Sequence, residues 1–125
     1  MCSFCKRYDE TPFHIFCSCI HVVETWSQLG NYFSDCITLP QLNPQTAILG
    51  YTNSNEQNFL LQNHILLAFK KFIYASRNSG NLILSAFLKN LSKIRNTEKA
   101  IASNDKTKLK RYNFKWLKVE YKLKR

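Results

Sequence analysis

Apolar side chains recur every three or four positions along most of this chain, the spacing of helices that turn one face to a core. Thr11-Pro12 reads as an N-cap with proline at the first helical position, and Ile15, Phe16, Ile20, Val23, Trp26 and Leu29 follow at that spacing. The pattern predicts a first helix over 12–34. Residues 35–55 hold Pro40 and Pro44 and predict a linker, in which AILGY is either a short strand or buried extended chain. From 56 to 78 the run NFLLQNHILLAFKKFIYASR is apolar around most of its circumference, as expected of a central helix. Ser79-Gly80 interrupts the chain, and Leu84, Phe87, Leu91, Ile94, Glu98 and Ile101 mark a third helix over 81–102. Asn104-Asp105 breaks and recaps, after which Leu109, Tyr112, Trp116, Val119 and Leu123 form one apolar face of a last helix over 106–123. The predicted fold class is all-α, a bundle of about four helices. Its expected organisation is a knuckle and first helix in 1–34, a linker in 35–55 and a basic helical region in 56–125, packed as a single compact unit.

Composition adds a core and a charge asymmetry to this picture. Apolar residues make up 45% of the 125 positions and aromatics 14%, enough to bury one core and too little chain for a complete polymerase. Residues 1–60 carry Lys6 and Arg7 against five acidic side chains, whereas 61–125 carry sixteen basic against three acidic, giving +10 in all. A C-terminal half this basic repels itself unless a polyanion neutralises it, which points to RNA or DNA as partner. A membrane is not expected, because no stretch is both long and apolar enough to span one. MCSFCKRYDE has no apolar signal core, so the expected localisation is intracellular, nucleus or cytoplasm, and not secreted. In that reducing setting five cysteines suit metal binding better than a disulfide framework.

Cys2, Cys5, His14 and Cys19 give C-x2-C-x8-H-x4-C, four ligands of the types that close a tetrahedral Zn2+ site. The first pair fits a knuckle in which backbone N–H groups point at thiolates. Positions five apart on an ideal helix lie roughly 140° apart around the axis, so His14 and Cys19 converge only if the first turn is loosened. Cys17, three after His14, is the geometric competitor, and ordinary buried cysteines are the alternative to any metal. His21 reads as a surface or satisfied histidine, with Cys17-x3-His21 as a lesser i, i+4 pair, and His64 as a core histidine.

The segment CSFCKRYDETPFHIFCSCIHVVETW also resembles the zinc-binding segment near the C-terminus of LINE-class non-LTR retrotransposon reverse transcriptases. Its matching positions are Cys2, Cys5, Glu10, Thr11, His14, Phe16, Cys19 and Trp26. A match in general character continues through AILGY, NHILLAFKKFIYASRNSG, NTEKAIA and FKWLKVE. The resemblance implies Cys19 rather than Cys17 as fourth ligand, and the rest of a reverse transcriptase polyprotein as a partner. It does not imply a polymerase in this chain. Such enzymes need a clustered acidic pair to hold two metal ions, and the adjacent pair here, Asp9-Glu10, lies inside the knuckle, where Glu10 suits a capping role. The chain is expected to be non-catalytic by itself.

On a helix over 106–123, Lys108, Arg111, Lys115, Lys118 and Lys122 fall on one face without an intervening glutamate, a predicted phosphate-contacting stripe. Lys70, Lys71 and Arg77 form the second candidate surface. Phe114, Leu117 and Tyr121 make another apolar stripe, expected to pack in the core. Exposed beside the lysines, they could instead stack on unpaired bases. Together these readings predict a zinc-stapled, nucleic-acid-binding domain that grips template RNA or target DNA. The alternative is a zinc-stapled helical protein-interaction module with merely solubilising lysines.

Overall fold

The computed structural model describes residues 1–39, 41–50 and 59–123, and among these every regular element is helical. A short N-terminal loop enters a π-helical turn, His14–Ser18, followed by α1 (Ile20–Tyr32), α2 (Pro44–Leu49), α3 (Leu60–Ser76), α4 (Leu84–Ala102), α5 (Lys106–Trp116) and α6 (Glu120–Leu123). Buried side chains from Cys2 to Leu123 form one continuous core. At its centre, Trp26 of α1 packs on Phe69 of α3 with ring centroids 5.3 Å apart, and Phe69 meets Phe87 of α4 edge-on at 5.4 Å. The apolar circumference of α3 thus serves as the hub that α1, α4 and α5 cover.

The structure divides elements that the sequence pattern joins. The predicted first helix is interrupted at Cys19, whose extended backbone (φ −63°, ψ 129°) separates the π turn from α1. AILGY is not a strand. Ala47 to Leu49 belong to α2, because Asn43 and Thr46 form a reciprocal capping box: the Asn43 side chain accepts from the Thr46 amide at 2.9 Å, and the Thr46 hydroxyl accepts from the Asn43 amide at 3.0 Å. Pro44 at the first helical position favours the same outcome, Gly50 ends the turn at φ 81°, and Tyr51 lies outside the described residues. In the predicted third helix, 81–83 are not helical, and α4 begins after extended Ile83.

The last helix breaks as well. Val119 donates to the Trp116 carbonyl and Lys122 to that of Val119, tight i to i+3 bonds that turn the chain between α5 and α6. The predicted inward face survives this turn: Tyr112, Trp116, Val119 and Leu123 are all buried. A charged anchor accompanies it. Arg95 of α4 is 5% exposed, and its guanidinium donates to Glu120 at 3.2 Å and to Asn96 at 2.9 Å. Tyr32 and Lys122 then bind each other's backbone, the Tyr32 hydroxyl donating to the Lys122 carbonyl at 2.9 Å and the Lys122 ammonium to the Tyr32 carbonyl. The short α6 is thereby fastened to the end of α1.

Candidate metal centre and charged surface

Cys2, Cys5, His14 and Cys19 converge, with one ligand atom from each lying within 4.8 Å of all the others. The Cys2 and Cys19 sulfurs are 3.9 Å apart, and the Cys5 sulfur is 3.3 Å from Nε2 of His14. A tetrahedral ion with sulfur at about 2.3 Å and nitrogen at about 2.05 Å requires edges of about 3.8 Å between sulfurs and about 3.6 Å between sulfur and nitrogen. The cluster has the dimensions and donors to hold a metal ion.

Local backbone geometry explains the convergence. The Cys19 amide donates to the His14 carbonyl at 2.7 Å, an i to i+5 bond that widens the turn and brings residues five apart onto one side. Thr11 caps the entry, its hydroxyl accepting from the His14 amide at 3.1 Å. At the other end of the loop, the Cys2 amide donates to the Tyr8 carbonyl at 2.7 Å and Lys6 takes φ 61°, the left-handed conformation that folds the chain back after Cys5. Glu10 braces this loop, accepting from the Ser3 amide at 2.9 Å and the Ser3 hydroxyl at 2.6 Å.

The electrostatics set two of the thiols apart. The Arg7 backbone N–H, joined by that of Tyr8 and by the His14 ring, holds the Cys5 thiol down at about 6, against the opposing effect of desolvation. Burial pushes Cys19 up to about 11, although the Val22 and His21 N–H groups at the head of α1 point at its sulfur. A cation at the centre of the cluster reverses that rise, because a coordinating thiol loses its proton outright.

Cys17 is outside the cluster, donating to the Phe13 carbonyl at 3.0 Å, and burial raises its thiol. His21 is exposed and is not a member either. His64 is half-buried rather than a core residue, edge-on to the Trp116 ring at 5.5 Å, with its basicity lowered by burial and by Lys115.

The predicted lysine stripe is not continuous. Lys115 donates to both carboxylate oxygens of Glu98, at 3.0 and 3.2 Å, and its side chain is 12% exposed. Lys122 pairs with Asp35 at 2.7 Å and lies over the Tyr32 ring. Lys108, Arg111 and Lys118 stay exposed and have no ion pair among the described residues, and Lys110, which helical spacing places off the stripe, joins them. Of the second candidate surface, Lys71 is exposed and Lys70 half-buried, while Arg77 is engaged by the Glu10 carboxylate and lies 5.5 Å from the Tyr74 ring. Phe114 and Leu117 are exposed, which overturns their expected core packing, because the face carrying Tyr112, Trp116 and Val119 is the one turned to the core; the Tyr121 side chain lies outside the described residues. Sequence reasoning missed the Arg95–Glu120 anchor, since pairing between distant helices leaves no local signature, and missed Lys110 because it lies off the single predicted stripe.

No protein-family model, curated protein or solved structure matches this chain.

Proposed function

We propose that this chain is a zinc-stapled, non-catalytic nucleic-acid-binding domain, related in role to the C-terminal region of LINE-type reverse transcriptases. The observation that carries the reading is a run from Lys106 to Val119, on α5 and the turn after it, with six cations and no acid, five of the six exposed. Lys108, Lys110, Arg111 and Lys118 are the members of that run available to meet phosphates. Such a surface raises the local concentration of a polyanion and holds it through counterion release, without reading sequence. RNA and DNA both supply the required charge.

Zn2+ is the metal assigned to the cluster, since three thiolates and one imidazole are its usual closed set. Coordination by four protein ligands leaves no position for a reactive water, so the ion's role is structural. The ion would fix the N-terminal loop, which lies beside the turn after α3, where Gly80, at φ 72°, approaches the Ser3 carbonyl so closely that a Cβ would lie 3.1 Å from it.

Salt dependence tests the reading. Binding of single-stranded RNA should weaken with a log-log slope of about −0.7 for each phosphate contacted. Affinity that ignores salt would instead favour the protein-interaction module.

A further inference from the structure

Phe114 is 64% exposed and Leu117 is 67% exposed, although both belong to the segment that seals the core through Tyr112, Trp116 and Val119. Phe114 lines one depression with Leu60, Lys110 and Arg111 and a second with Leu60, Leu117 and Lys118. Lys115 and Glu98 also reach the first depression, but they neutralise each other. The open apolar surface is consequently bordered by cations that have no ion pair among the described residues. Helical geometry keeps those cations close: Lys110 and Arg111 precede Phe114 by four and three positions, which puts their Cβ atoms about 5–6 Å away.

We infer that Phe114 and Leu117 form a base-stacking platform for single-stranded nucleic acid, with Lys110, Arg111 and Lys118 holding the flanking phosphates. This deepens the nucleic-acid reading above and rests on it. The ligand class follows from two requirements of the surface. Positive charge without such ion pairs calls for an anionic partner, and an exposed ring calls for a flat apolar face to cover it. An unpaired nucleotide offers both within one residue, whereas bases inside a duplex are already stacked on each other. The contact is insensitive to sequence, because every base has a π-face.

The experiment uses the whole zinc-loaded chain and two fluorescein-labelled probes, an oligo(dT) strand of about ten nucleotides and a hairpin duplex of similar size. Phe114→Ala should weaken oligo(dT) binding about 5- to 100-fold, leave duplex affinity unchanged and leave the salt slope for oligo(dT) unchanged. Phe114→Trp should retain parental affinity and add a fluorescence that is quenched when oligo(dT) binds. The exposed position makes both variants compatible with the fold, and helical circular dichroism with zinc content checks this. Parental protein that binds oligo(dT), with Phe114→Ala binding it equally well, would overturn the platform and leave the nucleic-acid reading standing. Equal loss on strand and duplex would also overturn it. Parental protein that binds neither probe at low salt would remove the nucleic-acid reading itself. If Phe114→Ala instead abolishes self-association while oligo(dT) affinity is unaffected, the face belongs to a second copy of this chain.

Discussion

Glu10 and Arg77 join the metal loop to the end of the hub helix: the Glu10 carboxylate that braces the Ser3 amide also receives the Arg77 guanidinium. Ser3 and Arg77 together hold the Glu10 carboxyl below its ordinary value, Ser3 being the larger influence. A depressed folded-state value means stability that is present above about pH 4.5 and lost as pH falls through the lower folded value. The stability difference between parent and Glu10→Gln should accordingly be constant at neutral pH and shrink in acid. Urea unfolding of both proteins across pH 3–7 measures it, and a difference that persists unchanged at the acid end would contradict this account.

Metal stoichiometry follows from the cluster. The reduced chain should bind one zinc, which Cys5→Ser or His14→Ala should lose and which Cys17→Ser and Cys36→Ser should keep. Elemental analysis distinguishes the four variants. Chelation should expose amides before Ser18 to hydrogen exchange more than those of α3 and α4, whose apolar faces also pack on each other, Phe69 against Phe87.

The Arg95–Glu120 pair should weigh far more than its neighbour. Glu120→Ala leaves a buried guanidinium without its carboxylate and should cost about 3 kcal/mol, with fraying of α6. Lys99 approaches the same carboxylate at 3.7 Å from a half-exposed position, so Lys99→Ala should cost less than about 1 kcal/mol. Denaturant midpoints decide the order, and similar costs for the two variants would refute it.

Cations of the last segment should separate into two groups. Replacing Lys108, Arg111 and Lys118 with glutamine should leave unfolding unchanged and flatten the salt slope for single-stranded RNA by up to about 2.1 units. Replacing Lys115 and Lys122 should have the opposite profile, lower stability with little change in slope, because their ammonium groups are held by Glu98 and Asp35. Salt titrations alongside urea unfolding check both halves.

The sequence alone determined the all-helical class, the inward face of the last segment and the ligand types, because each is written in local spacing, whereas Ile20, Val23 and Ile101, on the predicted apolar faces of the first and third helices, are exposed. Tyr112, Trp116, Val119 and Leu123 are buried as their periodicity demands, and Thr11 caps the turn that its position before Pro12 announces. The capping box at Asn43 and Thr46 was equally local, so the helical state of Ala47 to Leu49 was legible in principle. Tertiary structure decided the rest. Spacing left Cys17 and Cys19 as competitors, and it is the i to i+5 bond from Cys19 to His14 that carries Cys19 into the cluster while Cys17 turns to its own helix backbone. Lys115 and Lys118 are indistinguishable as neighbours on one predicted stripe, yet one is sealed against Glu98 and the other stands in solvent. The physical reason is range: a helical period fixes which residues share a face, while burial, ion pairing and a break after Trp116 depend on side chains seventeen or more positions away, such as Glu98 and Arg95, that meet only when the helices pack.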